Sequence, residues 1–346
     1  MKRLIFLAML LPMLSAKAIK VTHGPYICDM DSTGLTIVWV TDKPGRAWVE
    51  VADDSMGHFY GKERPRFYAT LHGRRELTDS VHRVRIDGLK PDTHYRYRIF
   101  TEPIEQWKYD DWITFGKITA TDVWRGKPHE FRTFPAQPRD FTFLVLNDIH
   151  ERADFMKALC KNIDFKKIDF VLLNGDMSNR INSQAHIFES YIDTCVSMFA
   201  TRVPILFNRG NHELRGPFAD YLYRYFPTRT GKYYRLQHVC GVDFLFIDSG
   251  EDWDGMRDLD HNSANVQTTV KAYLQMLKDK FGYVGFRYDM VKGYGGKFTA
   301  LYNNASQPEF SVGEYWDGDI NKVKAWIEST KSDGFPTSAA FDFPVR

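Results

Sequence analysis

The 346-residue sequence predicts a multidomain chain: an N-terminal β-sandwich, then part of a layered α/β unit, then part of a parallel (β/α) barrel. Three changes of pattern indicate this order. Residues from about 20 to 135 are rich in β-forming runs and turn signals. From residue 141, apolar stretches of strand length alternate with helical spacing. Beyond residue 252, a second series of short strands and amphipathic helices begins, as in a parallel barrel.

The overall composition is that of an ordinary globular protein. Hydrophobic residues make up 43% of the sequence and charged residues 26%, and the formal net charge is +2. Because acidic and basic residues are nearly balanced, neither a nucleic-acid-binding surface nor a lipid-binding patch is indicated. The aromatic fraction of 15% is high and favours β-structure with aromatic side chains in the cores.

Residues 1–18 have the pattern of a secretory signal. Lys2 and Arg3 form a basic start, residues 4–14 are apolar, and a small-residue cleavage site ends at Ala18. The apolar run is too short to span a bilayer as a helix, and no later stretch is apolar enough to do so. We therefore expect a soluble protein that is secreted or periplasmic after cleavage near Ala18.

Residues 19–135 are predicted to form the sandwich. Runs at 35–40 and 47–51 are rich in β-forming residues and are separated by a Lys-Pro-Gly turn. Further along, the pattern L-x-P-x-T-x-Y-x-Y resembles the corner of fibronectin type III-like sandwiches, in which a Tyr side chain bonds back to the backbone. In this chain Tyr95 and Tyr97 occupy the two Tyr positions of the pattern, and a linker containing two prolines follows the sandwich.

Residues 139–251 are predicted to form the α/β unit. Its first three predicted strands each run into a loop that contains Asp, Asn or His, and ligand sites in open α/β folds lie just beyond the carboxyl ends of the strands. Cys160 and Cys195 fall in helical patterns, which favours buried free thiols. The predicted elements are strands at 141–146, 170–173, 204–207 and 244–247 and helices at 153–163 and 186–199.

The three strand-end loops have the composition of a metal site. They contain the sequences D-I-H at 148–150, G-D at 175–176 and G-N-H-E at 210–213. Two divalent ions a few ångströms apart can clamp a phosphate and supply a hydroxide nucleophile. Such a pair requires oxygen and imidazole ligands and one bridging carboxylate, which Asp176 can provide because Gly175 allows a tight turn. Three such motifs in this order indicate a phosphoesterase site.

These motifs resemble those of the calcineurin-like metallophosphoesterase family, and the preceding sandwich resembles the N-terminal domain of its purple acid phosphatase branch. The resemblance covers roughly residues 20–250. It implies an αββα sandwich, a phosphate-ester substrate and two divalent metal ions, which in the family are Fe, Zn or Mn. The implied roles are Asp148 and His150 as ligands of the first ion, Asp176 as the bridge, Asn211 as ligand of the second ion and His212 as the catalytic acid or phosphate donor.

The sequence departs from this family at two places. The purple enzymes have a Tyr three residues after the Asp of the G-D motif, where this chain has Asn179, so the tyrosinate that gives the purple colour is not expected. The family also completes its site with three further histidines. Only His238 and His261 follow the third motif here, and neither lies in a matching sequence. Because Asp176 and Asn211 are too few ligands for stable binding, we expect the second metal site to be incomplete.

Residues 252–346 resemble a different family, the alpha-amylase superfamily. The resemblance rests on the motifs D-L-D-H, G-F-R-Y-D and V-G-E-Y-W. Retaining glycosidases need one carboxylate as nucleophile and one carboxylic acid as proton donor. The resemblance implies Asp289 as the nucleophile, Glu314 as the acid and Arg287 as a substrate-binding residue, with an alpha-glucan as substrate. It also implies calcium, although most of the calcium ligands are missing.

Both resemblances are partial. About three or four βα units of an eight-unit barrel are present, and the motif that supplies the third amylase carboxylate is missing, since Asp342 lies upstream of that point. The two kinds of sequence meet near residues 249–252, and either a gene fusion or an error in sequence assembly would produce such a join. Three functions stay open: a phosphoesterase weakened by the lost histidines, an alpha-amylase-type glycoside hydrolase fragment, and an inactive chimeric product with an intact sandwich.

Overall fold

A computed structural model describes residues 18–53, 57–109, 112–122, 126–248 and 259–345. All but the last residue of the predicted secretory signal lies outside these residues, as does the predicted join near residues 249–252. No helix in the described ranges is both long and apolar enough to cross a membrane.

The N-terminal region forms the predicted β-sandwich. Strands β1, β2 and β7 pair antiparallel in one sheet, and β3 pairs with β4 and β8 in the other. At the predicted corner, the backbone N–H of Lys90 donates to the Tyr95 hydroxyl at 2.8 Å, which confirms the tyrosine corner. The strands are β1 Val21–Cys28, β2 Leu35–Thr41, β3 Gly45–Ala52, β4 Arg66–Tyr68, β5 Thr70–Leu71, β6 Arg74–Arg75, β7 Val81–Ile86, β8 His94–Lys108, β9 Trp112–Phe115, β10 Thr119–Ala120 and β11 His129–Arg132.

The middle region has the predicted α/β order. Three parallel strands, β12 to β14, alternate with helices, and an antiparallel hairpin follows. The second helix is continuous from residue 184 to 200 but alternates between α and π turns. The elements are β12 Phe143–Leu146, α1 Ala153–Leu159, β13 Phe170–Asn174, α2 Gln184–Ile187, a π segment Phe188–Ile192, α3 Asp193–Cys195, a π segment Val196–Ala200, β14 Ile205–Asn208, β15 Arg235–Val239 and β16 Val242–Phe246, with 3-10 turns at Phe165–Lys167, His212–Leu214 and Ala219–Arg224.

The sandwich and the α/β unit share one sheet. Strand β1 pairs in parallel with β14 through Cys28 and Ile205, so that six strands run in the order β12-β13-β14-β1-β2-β7. On one face, Trp39 packs in the sandwich core together with Leu206 of β14. On the other face, Val38 packs in a cluster with residues of the helix from 184 to 200. The two predicted units are therefore joined through a common sheet and two common cores.

Strand β12 corrects one expectation. The sequence predicts a buried strand here, but Phe143 is 38% exposed and Val145 is 41% exposed. Both side chains lie on one face of an edge strand, and of the β15–β16 hairpin only Phe244 is in ring contact with Phe143. The strand is apolar enough to be buried, but the described elements cover this face only in part.

The C-terminal region, from residue 259, has βα alternation. Three parallel strands, β17, β18 and β21, form its sheet, and α4 to α6 pack beside them. The apolar pattern of residues 340–343 predicts a short strand, but this prediction is wrong in its extent, because β21 ends at Ala340 and Phe343 starts a 3-10 turn. The described strands form no closed barrel. The elements are α4 Ala264–Phe281, β17 Gly285–Tyr288, α5 Gly296–Ser306, β18 Phe310–Gly313, α6 Ile320–Ser329, β19 Lys331–Ser332, β20 Phe335–Pro336, β21 Ala339–Ala340 and the turn Phe343–Val345.

The cysteines match the sequence-based expectation. Cys160 and Cys195 are buried free thiols, and so are Cys28 and Cys240. Burial raises the pKa of the Cys160 and Cys195 thiols, so these groups are poor nucleophiles and pack as small apolar side chains.

Candidate metal centre

The first two motif loops adopt a strained backbone at the ends of β12 and β13. Asp148, His150 and Glu151 all have positive φ angles, of 55°, 49° and 64°. Asp176 also has a positive φ, of 55°, directly after Gly175 at 84°. Left-handed backbone is rare for residues other than glycine and concentrates at functional sites. The strained backbone of these two loops turns their side chains toward one point.

Two glycines allow the second and third loops to approach each other. A Cβ atom on Gly175 would lie 2.7 Å from the Cα of Gly210, and a Cβ on Gly210 would lie 2.3 Å from Oδ1 of Asp176. Both distances are far below van der Waals contact. Any side chain at either position would push the Asp176 loop away from the loop that carries Asn211 and His212.

The structure brings three of the predicted site residues into one cluster. Ligand atoms of His150, Asp176 and His212 lie within 4.8 Å of one another. The two imidazole rings are nearly perpendicular, with centroids 4.6 Å apart, and the backbone N–H of His212 donates to Oδ1 of Asp176 at 3.2 Å. This set differs from the one that the family resemblance implies for the first ion, because His212 takes part in it.

Asp148 and Asn211 lie at the edge of that cluster. Oδ1 of Asp148 is 3.7 Å from Nε2 of His150, and the Asp148 side chain is 64% exposed. Both Asp148 and Asn211 line a cavity of about 370 Å³ together with Asp176. Arg209 also lines this cavity, and its guanidinium is paired with the buried carboxylate of Asp248. The cavity therefore contains carboxylate and amide oxygens suited to hard cations, and one cationic side chain.

Glu213 is a site residue whose role the sequence analysis missed. Its carboxylate is fully buried and accepts hydrogen bonds from the backbone N–H groups of Asp176, Met177 and Gly210, at 2.8 to 2.9 Å. Burial raises its pKa, while these N–H groups act in the opposite direction. The side chain ties the second loop to the third. An acidic residue directly after G-N-H was a visible signal, but its direction into the protein was not.

The cluster fits one divalent ion better than two. Two imidazoles and a carboxylate are a donor set suited to Zn, Fe or Mn. No further imidazole reaches the cavity from the described residues. His238 lies in the exposed β15–β16 hairpin, 2.9 Å from Asp243, as its polar sequence predicted. His261 is buried beside the hydroxyl of Tyr302 at 2.6 Å.

The residues predicted from the amylase resemblance also meet. The guanidinium of Arg287 forms ion pairs with Asp289 and with Glu314, the latter at 2.9 Å. Glu314 is largely buried, with its side chain 14% exposed, whereas Asp289 is 67% exposed. Asp342 lies beyond the end of β21. The two carboxylates that the resemblance implies as nucleophile and acid are thus both paired with the guanidinium of Arg287.

The fold is of the calcineurin-like phosphoesterase type. A sequence model of the calcineurin-like phosphoesterase family matches residues 141–327, which is more than half of the chain. A second model, of the purple acid phosphatase N-terminal domain, matches residues 27–116. The chain therefore belongs to the calcineurin-like phosphoesterase family, and it carries the N-terminal domain that the sequence predicts. The first match extends past residue 251, into the region with amylase-like motifs.

A solved relative supports the fold. A purple acid phosphatase from seeds of yellow lupin (Lupinus luteus) superposes with a TM-score of 0.50 over 84% of this chain and 57% of that one, at 12% identity. At this identity the likeness concerns the fold alone.

Curated relatives of another kind match a short part of the chain. Probable alpha-amylase 2 of Arabidopsis thaliana is 30% identical over 112 residues, which cover 28% of this chain and 26% of that protein. The chloroplastic alpha-amylase 3 of the same plant is 38% identical over 112 residues, which cover 28% of this chain and 12% of that protein. The chain thus spans about a quarter or less of these curated relatives.

Proposed function

We propose that this chain is a secreted, metal-dependent phosphoesterase with one well-formed metal site and one incomplete site. The observation that carries the proposal is the cluster of His150, Asp176 and His212 at the ends of the parallel strands. The implied family metal would polarise the phosphate and lower the pKa of a bound water. Asp148 and Asn211 lie where they could add oxygen ligands.

The chain's own residues have separate tasks in this proposal. His150 and Asp176 bind the first ion, and Asp176 faces the second position together with Asn211. His212, beside Asp176, is near enough to the same point to bind the ion or to donate a proton to the leaving oxygen. Nη1 of Arg215 lies 3.1 Å from Nδ1 and 3.0 Å from Nε2 of His212, and this contact restricts the orientation of the imidazole.

The incomplete second position predicts weak catalysis. Charge neutralisation by both ions normally carries this reaction. We expect an aryl phosphate, assayed with added manganese or zinc, to be hydrolysed far more slowly than the roughly 1–10³ per second typical of intact enzymes. Asp176→Asn should remove whatever activity exists. A turnover in the typical range that Asp176→Asn abolishes would refute the weakened-site proposal, and a residual activity that Asp176→Asn leaves unchanged would refute the site itself.

Export is part of the proposal. It is supported by the basic start, the apolar run and the cleavage pattern that ends at Ala18. Expression of the full-length chain in a bacterium, followed by N-terminal sequencing of the exported protein, tests it. Recovery of a chain that begins at Ile19 supports export, whereas an uncleaved chain confined to the cytoplasm contradicts it.

The proposed domains are a sandwich at 19–135, half of a phosphoesterase at 139–251 and an amylase-like barrel fragment at 252–346. The C-terminal cluster is small, and large apolar side chains stay exposed there, among them Phe310 at 59% and Phe335 at 77%. We expect limited proteolysis to remove this part first and to leave a fragment that contains both the sandwich and the α/β unit. A single cooperative transition of the whole chain would contradict separate domains.

A glycoside hydrolase fragment is the second candidate. The shared ion pairs of Arg287 with Asp289 and Glu314 favour it, because retaining enzymes place two carboxylates close together. The missing third carboxylate argues for an inactive remnant, and calcium has few ligands available. Release of reducing sugar from soluble starch that Glu314→Gln abolishes would establish this activity. If neither starch nor an aryl phosphate is hydrolysed, the chain is the inactive chimeric product.

A further inference from the structure

Asn179 contacts both histidines of the metal cluster. Its side-chain oxygen Oδ1 lies 3.0 Å from Nδ1 of His150, and its backbone oxygen lies 2.9 Å from Nδ1 of His212. The side-chain oxygen of Asn179 can only accept a hydrogen bond, so in neutral His150 the facing Nδ1 carries the proton. Nε2 of His150 is then an unprotonated donor for a metal ion. At His212 the guanidinium of Arg215, which can only donate, also lies near both ring nitrogens, so the backbone oxygen of Asn179 does not by itself fix that tautomer.

A third residue favours one orientation of the Asn179 amide. The carboxylate of Glu151 accepts a hydrogen bond from the backbone N–H of Asn179 at 2.9 Å, and, although burial acts to raise the pKa of Glu151, the Asn179 side chain lowers it. Because a carboxylate attracts the NH₂ group of an amide rather than its oxygen, this contact favours the placement of Oδ1 toward His150. His186 completes the arrangement, since its Nε2 lies 3.1 Å from Oε1 of Glu151.

We propose that Asn179 is a positioning residue that selects the metal-binding tautomer of His150 through its side chain, while its backbone oxygen lies beside Nδ1 of His212. Metal-ligating histidines commonly donate their other ring N–H to an oxygen, and loss of that partner typically lowers metal affinity about 10- to 100-fold. At the place where the purple enzymes have a tyrosine, this chain thus uses an amide that orients the ligands.

The inference rests on the proposed function for its metal, but the tautomers are a property of the metal-free chain. The first measurement is therefore nitrogen-15 NMR of the metal-free mature chain, with the His150 signals assigned by comparison with His150→Gln. We expect the proton of neutral His150 on Nδ1 in the wild type and a larger share on Nε2 in Asn179→Leu. The backbone contact to His212 persists in the variant, so the His212 tautomer should not change.

The second measurement is the affinity for Mn²⁺, determined by calorimetry on the same proteins. Asn179→Leu should weaken binding about 10- to 100-fold, with a melting temperature of the metal-free chain close to that of the wild type. If leucine lowers the melting temperature, Asn179→Ala replaces it in both measurements. The paired variant Asn179→Asp with Glu151→Gln exchanges the amide and the carboxylate, preserves the net charge and should restore binding.

The outcomes separate the two proposals. A wild type that binds no Mn²⁺ but shows the expected tautomer shift would refute the metal function and leave the positioning role supported. If Asn179→Leu binds Mn²⁺ as tightly as the wild type, and His150 has the same tautomer in both proteins, the positioning role is overturned. Failure of the exchanged pair to restore binding would also count against it.

Discussion

Strands β2 and β12 are both apolar, yet their surroundings differ. All seven residues of β2 are buried, because the second sheet of the sandwich covers one face and the helix from residue 184 to 200 covers the other. In β12 only Leu146 is buried. An apolar sequence therefore allows a strand to be buried, but the strand is buried only where another element packs over it.

The same comparison applies to strand edges. Strand β14 would end the parallel sheet, but β1 of the sandwich pairs with it through Cys28 and Ile205, so the sheet continues into the sandwich. Strand β12, at the far end, has no partner on its outer side among the described strands. An unpaired, apolar edge favours aggregation. We therefore expect the region around β12 to be the part of the molecule most prone to aggregation.

Large side chains should show the greatest contrast. Trp39 is fully buried and donates from Nε1 to the hydroxyl of Thr101 at 2.8 Å. Trp39→Ala should lower the free energy of unfolding by about 3–5 kcal/mol. Phe143→Ala should lower it by about 1 kcal/mol, since the ring is partly exposed but stacks on Phe170. Urea denaturation measures both, and equal losses would remove the distinction between the two strands.

The junction between β1 and β14 should respond to pH through Asp29. Burial raises the pKa of Asp29 from 3.8 to about 6, although the nearby Arg85 acts to lower it. A carboxyl whose pKa is higher in the folded chain stabilises below pH 3.8, and that contribution is lost as the pH rises through about 6. The Asp29→Asn variant has no carboxyl group at this position, so it should not lose this stability as the pH rises.

The prediction for Asp29→Asn is a change relative to the wild type. From pH 4 to pH 7, the difference in free energy of unfolding between the variant and the wild type should shift by about 1–3 kcal/mol in favour of the variant. Urea denaturation at a series of pH values measures this. A difference that does not vary with pH would show that Asp29 titrates as it does in the unfolded chain.

A matched substitution gives the smallest but most specific contrast. Val38→Thr buries a hydroxyl in a closed core and should lower the free energy of unfolding by about 1–3 kcal/mol. Val145→Thr places the same group on the exposed face of β12 and should change it by less than about 0.5 kcal/mol. The residue type and the strand propensity are the same in both. If Val145→Thr is as harmful as Val38→Thr, then β12 is covered in solution.

Much of the fold could be predicted from local sequence. The runs rich in β-forming residues predicted β2 and β3, the tyrosine corner followed from its motif, and the helix from residue 184 to 200 followed from its apolar spacing. The pairing of β1 with β14 could not be predicted, because it joins residues far apart in the sequence. The exposure of Phe143 depends on which distant residues pack over it, so no local pattern reveals it.

The site was predictable in its residues rather than in its contacts. The motifs identified His150, Asp176 and His212, since each follows an apolar strand. They did not indicate that Glu213 points inward to bind the backbone of two loops, or that Asn179 contacts both histidines. Those contacts depend on left-handed backbone at Asp176 and its neighbours, which the sequence marks only at glycine.

The metal content of the purified chain tests the central claim most directly. After dialysis against metal-free buffer, elemental analysis for iron, zinc and manganese gives the number of ions per chain. The cluster of His150, Asp176 and His212 predicts no more than one ion per chain, because both imidazoles belong to that cluster and the cavity beside it is lined by carboxylate and amide groups without a further histidine among the described residues. Two tightly held ions per chain would contradict the account.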